Sequence, residues 1–172
     1  MGGIVKVDSD FIFGAPTEFT QAERDTFIQL VCAGGEVGNQ VLGRNVANAK
    51  ALIFLKQNGQ NAGVAALKNP LKTYRIGIAS CANAEIHERE FPFELGYIFI
   101  VEKSRGLRLS GPLVAKALAL VPESGVFATM RVDNLAMRAT LCKAGFKPAG
   151  KPYDGRDGRS LQIFVRPAGK TA

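Results

Sequence analysis

The stretch that most constrains the fold is "FELGYIFIVEKSRGLRLSGPLVAKALALV", residues 93–121. An apolar run rich in aromatic and β-branched residues leads through a basic, glycine-containing loop to an amphipathic helix. Pro112 has no N–H and is tolerated only in the first turn, so the helix must begin near Ser110 or Gly111, with Ser110 the cap candidate. The strand is apolar on both faces, which predicts a central position in a sheet. A central strand feeding a helix in this way points to an α/β or α+β domain.

Reading outward from this unit gives the other elements. "GIVKVDS" (3–9) reads as a short strand. "FTQAERDTFIQLVCAGG" reads as a helix with Thr20 and Glu23 forming a capping box and Gly34-Gly35 as its stop. A weaker helical pattern runs through "VGNQVLGRNVANA". "ALIFLKQNGQNAGVAALKNP" is a hairpin around Asn58-Gly59, since both residues accept the positive φ of a tight turn. Within Leu71–Phe93, "YRIGIASCANA" fits a helix or a strand, and "EIHERE" is a charged connection. "GVFATMRV" is a strand, "NLAMRATLCKAGF" a helix capped by Asn134 and stopped by Gly145, and "KPAGKPY" with "SLQIFVRP" a strand pair across "DGRDG". A hairpin at each end implies a mixed, mostly antiparallel sheet flanked by helices. The expectation is a single domain over residues 1–172.

Residues 105–111 are loop and first turn, where backbone N–H groups lack intrahelical acceptors. The helix dipole and the cations Lys103, Arg105 and Arg108 add positive potential, a combination suited to a phosphate or pyrophosphate. The bland alternative is an ordinary turn with a solvated basic rim. Net charge is +7, which permits an anionic partner without specifying one. Cys32, Cys81 and Cys142 show no CxxC spacing, and the chain opens without an apolar leader, so free thiols in a cytoplasmic setting are expected. No stretch has the ~18 uninterrupted apolar residues of a membrane span. One histidine, His87, and scattered thiols argue against a metal site. On its own spacing, Cys142 reads as a core thiol.

Asn134, Met137, Leu141 and Lys143-Ala144-Gly145-Phe146 resemble the helix motif N-x-x-A-x-x-x-Y-x-K-x-G-F of the GCN5-related N-acetyltransferase (GNAT) superfamily. About thirty residues upstream, "ELGYIFIVEKSRG" resembles that family's strand leading to R-G-x-G-x-G/A. The resemblance covers roughly Ile4 to Pro167 and implies the acyl-CoA N-acyltransferase fold, with a splayed pair of strands. It implies an N-acetyltransferase using acetyl-CoA as cosubstrate, with no metal and no membrane, acting as monomer or homodimer. Phe99, Ile100 and Val101 would offer backbone groups to the pantetheine arm. Arg105, Gly106, Leu107, Arg108, Leu109 and Ser110 would cradle the pyrophosphate, and Asn134 and Met137 would lie near the cofactor. Glu94 would be the general base, acting directly or through a water.

Three departures from the family pattern matter. Arg108 stands where the motif prefers glycine, so either the loop takes another path or the Arg108 side chain adds a phosphate contact. Ser110 likewise stands where the motif prefers glycine, and Met137 replaces the usual alanine, a packing change with little mechanistic consequence. Leu141 occupies the place of the tyrosine that often protonates the leaving thiolate, so Tyr153, Tyr97, Cys142 or water would substitute, with Tyr153 the named candidate, or the acid step is dispensed with because a thiolate is already a fair leaving group. Tyr74 and Arg75 fall in the segment expected to line the acceptor side. The acceptor would be an amine of a small molecule, a peptide or a nucleic acid such as aminoacyl-tRNA or a DNA base. A lapsed CoA-binding module is the alternative outside catalysis.

Overall fold

The computed structural model describes residues 6–8, 10–35 and 39–169. Gly3, Ile4, Val5 and Ser9 of the first predicted strand, and Val37 and Gly38 of the second predicted helix, lie outside them. The chain forms two compact units, one of residues 1–69 and 96–113 and the other of 70–95 and 114–172.

In the first unit, strands β1 (Lys6–Asp8), β2 (Phe11–Gly14), β3 (Ala51–Gln57) and β4 (Gln60–Lys68) form an antiparallel meander. Asn58 and Gly59 at the β3–β4 turn have φ of 50° and 75°, as the Asn-Gly hairpin requires. Helix α1 (Gln21–Ala33) starts at the predicted capping box. The Glu23 amide donates to Thr20 Oγ1 at 3.2 Å, and the Thr20 amide donates to Glu23 Oε2 at 2.7 Å. Helix α2 (Asn39–Ala47) follows. The two helices place Phe27, Val31, Leu42 and Val46 against Leu52, Phe54, Val64 and Ala66 of the sheet. Phe27 meets Phe54 edge to face with centroids 5.6 Å apart, a geometry that adds to area burial.

In the second unit, α3 (Lys72–Ala82) resolves the segment that the sequence left between helix and strand. Strand β5 (Phe93–Ile100) begins here and pairs in parallel with β6 (Val126–Arg131) over Phe93–Leu95. Strand β8 (Ser160–Arg166) lies antiparallel to both β6 and β7 (Lys147–Asp154). Helix α4 spans Ser110–Ala119 and α5 spans Leu135–Lys143. Among the described residues, then, antiparallel pairings dominate in each unit, and the second unit also holds the parallel β5–β6 pairing, so the strands are mixed as expected.

The helical choice for α3 has a cause outside its own residues. Arg75 is buried, and its guanidinium donates to the carbonyls of Phe91 at 2.6 Å, Pro92 at 3.1 Å and Ile86 at 3.2 Å. It also lies over the Phe127 ring, 5.1 Å from the centroid. Desolvation lowers its affinity for the proton, and the nearby Glu88 and Glu94 charges oppose that shift. One side chain thus ties α3 to the 86–92 connection and to β6. Two glycines seat the same region. A Cβ at Gly125 would stand 2.1 Å from the Glu90 carbonyl oxygen, and one at Gly150 would stand 2.2 Å from that of Ala82.

Replacing Arg75 with methionine removes the donor shared by three carbonyls while keeping much of the volume. The expected cost is about 2–4 kcal/mol of unfolding free energy, read as a lower urea midpoint at unchanged m.

Candidate active site

The second unit gathers a carboxylate and three hydroxyls. Glu94, near the start of β5, is 1% exposed, so it is not the solvated strand-end carboxylate that its position allowed. The Tyr74 hydroxyl on α3 and the Thr129 hydroxyl on β6 both donate to Glu94 Oε1, each at 3.1 Å. Thr129 lies two residues beyond Phe127, the register partner of Glu94. The pleat therefore brings Thr129 onto the same face.

Tyr153 joins this cluster from β7. It packs beside Ala82, Ile86, Phe91, Phe127 and Ile163. It is therefore not part of the turn-rich surface that its surroundings in the sequence suggested. Its hydroxyl is buried without a hydrogen-bond partner among the described residues. Such a group costs about 1–3 kcal/mol unless water or a ligand satisfies it. Burial first, and then the Glu94 charge and Cys81, push Tyr153 up to about 12. Burial also raises Tyr74 far above the ordinary phenol range, with Glu94 and Tyr153 adding to the effect. Both phenols are proton donors throughout the physiological range. Thr129 and Tyr74 are the partners that the sequence did not assign to Glu94. The only signal for Tyr74 was its place in the segment assigned to the acceptor side.

The first unit holds the basic loop. Val101 does not offer a free amide, because its N–H donates to the Ala62 carbonyl at 2.9 Å. Arg105 Nε donates to the Ile100 carbonyl at 3.2 Å, and its guanidinium lies 5.7 Å from the Phe99 ring centroid. Lys103 donates to the Gln60 side chain. Gly106 and Arg108 have φ of 83° and 57°. The loop thus keeps a left-handed turn at Arg108 despite the Cβ, a conformation costing roughly 1–2 kcal/mol in a residue other than glycine. Among the described residues no acceptor takes the amides of Gly106, Leu107, Arg108 and Leu109. No atom lies within 4 Å of where a Cβ would be at Gly106 or Gly111. Open space, unpaired amides and the exposed Arg108 suit a diphosphate.

Ser110 is not the cap. It is the first residue of α4, and the Leu109 carbonyl accepts the first helical bond from the Leu113 amide at 3.2 Å. Pro112 therefore occupies the third helical position, within the turn that needs no donor from it. Asn134 caps α5 as expected, accepting from the Met137 amide at 3.1 Å. Tyr97, in the first unit, has φ of 53° within β5, accepts from Asn45 Nδ2 at 3.0 Å and has Lys68 Nζ 4.8 Å from its ring centroid. Cys142 is exposed and not a core thiol, because α5 turns Leu141 inward and its neighbour outward. His87 is exposed. Among the described residues no three His, Cys, Asp or Glu side chains gather as metal ligands, and no helix is long and apolar enough to cross a membrane.

No protein-family model matches the chain, and no curated protein sequence matches it. Solved structures do. An acyl-CoA N-acyltransferase from Pseudomonas aeruginosa superposes with a TM-score of 0.68 at 16% identity, covering 91% of this chain and 98% of that one. A GNAT-family acetyltransferase from Streptococcus agalactiae gives 0.69 at 13% identity, covering 94% and 98%. The ribosomal-protein-S18-alanine N-acetyltransferase from Escherichia coli gives 0.65 at 15% identity, again covering 94% and 98%. The chain has the acyl-CoA N-acyltransferase fold that these structures share.

The two raised phenols set a stability trend at alkaline pH. Both are protonated in the folded and unfolded chain at neutral pH. From about pH 10 upward the unfolded chain releases protons that the folded one retains, so stability falls as pH rises from about 10 towards 12. The expected result is a urea midpoint that declines over that window, and declines less in Tyr74→Phe and in Tyr153→Phe.

Proposed function

We propose that this chain, with the fold of the GNAT acetyltransferases, transfers an acetyl group from acetyl-CoA to an amine. The observation that carries the reading is the buried Glu94 carboxylate, held by two hydroxyls beside the unpartnered Tyr153 hydroxyl. That grouping is what removal of a proton from an attacking amine requires. Loss of that proton leaves the nitrogen lone pair to form the N–C bond to the thioester carbonyl as the C–S bond breaks. Glu94 is the ultimate base. Tyr153, protonated and without a partner, is the donor that returns a proton to the departing sulfur, the task for which Leu141 has no group.

The loop from Arg105 to Ser110 would hold the diphosphate through the amides of Gly106 to Leu109, with Arg108 adding a side-chain contact. Phe99 and Ile100 would contribute main-chain groups to the pantetheine. Asn134 and Met137 would border the same cosubstrate. Val101, its amide already bonded to β4, contributes through its carbonyl or side chain instead.

Acetyl-CoA and CoA should raise the melting temperature, and thiol release should follow with some member of a panel of primary amines, peptides and charged tRNA. An acceptor that is a nucleic acid would show a steep loss of binding with salt, and a small amine would not. Glu94→Gln should lower kcat by about 100-fold or more; a variant with unchanged turnover and pH profile would remove Glu94 from the mechanism. Arg108→Gly should relieve the left-handed strain, stabilising the fold by up to about 1 kcal/mol, while weakening CoA binding. Unchanged affinity would assign the diphosphate contact to the backbone alone.

A further inference from the structure

The carboxylate assigned as base is nearly inaccessible. Glu94 is 1% exposed, whereas Tyr74, whose hydroxyl donates to it, is 38% exposed. Of this hydrogen-bonded pair, Tyr74 is therefore the one with surface open to solvent, while its hydroxyl end is buried against the carboxylate. We infer that Tyr74 is a catalytic relay, its hydroxyl taking the proton from the acceptor amine while passing its own to Glu94. This rests on the acyl-transfer reading given above.

The step balances without any further reactant. The N–H bond of the attacking nitrogen breaks and an O–H bond forms at Tyr74 Oη. In the same event the original O–H of Tyr74 breaks and an O–H forms at Glu94 Oε1. Tyr74 begins and ends as a phenol. That matters because a phenol held protonated by burial beside a carboxylate cannot act as a stored tyrosinate base; it can pass a proton only in concert. Geometry favours this route over the other donor. Thr129 lies on a sheet strand, while Tyr74 lies on the helix face next to Gly77, where a Cβ would find no atom within 4 Å. The side of α3 beside Tyr74 is thus open to solvent. Arg75, the next residue in the chain, anchors the helix through its three carbonyl contacts, which fixes the hydroxyl over the carboxylate.

Two measurements test the relay. The first needs no turnover: water-soluble carbodiimide with glycine ethyl ester, followed by peptide mapping, reads carboxylate accessibility. Glu94 should resist labelling while exposed Glu88 and Glu123 react, and Tyr74→Ala should make it reactive. Labelling of Glu94 at the rate of Glu88 in the unaltered protein would overturn the inference. The second uses acetyl-CoA with the fastest primary amine of the panel. Tyr74→Phe keeps the ring as a cover but lacks the hydroxyl, so kcat should fall by about 100-fold with KM little changed. Tyr74→Ala should be the less impaired of the two, because water can then reach Glu94. Thr129→Val should stay within about tenfold of the parent. Full kcat in Tyr74→Phe, or a larger loss in Thr129→Val, overturns the relay alone. Failure of every amine in the unaltered enzyme defeats the acyl-transfer reading and the relay together.

Discussion

The second unit depends on one buried cation. The Arg75 guanidinium satisfies three carbonyls of a connection that has no regular secondary structure, and its charge lies near that of Glu94. Burying either charge alone would cost several kcal/mol. Here hydrogen bonds satisfy both groups, three from Arg75 to carbonyls and two from hydroxyls to Glu94. The helix bearing Tyr74, the 86–92 connection and the first residues of β5 are thus held by a common fastening. Positioning chemistry on a side chain that is also structural removes the slack that a loop-borne site would have.

The basic loop follows a different logic. Its shape is set by backbone conformation, with left-handed residues at Gly106 and Arg108 turning amides outward. Glycine would adopt the second of these at little steric cost. Arginine there adds a full charge beside a helix N-terminus in exchange for local strain, a trade typical of functional segments.

Much of this was legible in the sequence wherever a local rule acts alone. Thr20 with Glu23, Asn58-Gly59, Asn134 and the Pro112 junction each fixed an element boundary to within a residue or two, because caps and turns are decided by neighbours a few positions away. Ser110 was misplaced by one position because a hydroxyl that can cap is not obliged to. Leu71–Phe93 was ambiguous because its helicity is secured by Arg75, whose partners lie 11 to 17 residues downstream. Cys142 was misjudged because only the packing of α5 tells which of two adjacent residues faces inward. Family spacing singles out Glu94 as a candidate, but its burial and its two donors are tertiary facts that no local pattern encodes.

Gly125 and Gly150 carry a consequence for how this protein can diverge. Each lets a carbonyl oxygen come closer than any side chain allows, and those carbonyls belong to Glu90 and Ala82, which flank the fastening around Arg75. Even alanine at either place would have to displace main chain, and so would shift the helix or connection that packs around Arg75. The exposed positions at this helix, such as its N-cap Leu71 and Ile76, carry no such constraint. There side chains can be exchanged without moving the backbone, so that surface can vary while the buried scaffold stays fixed.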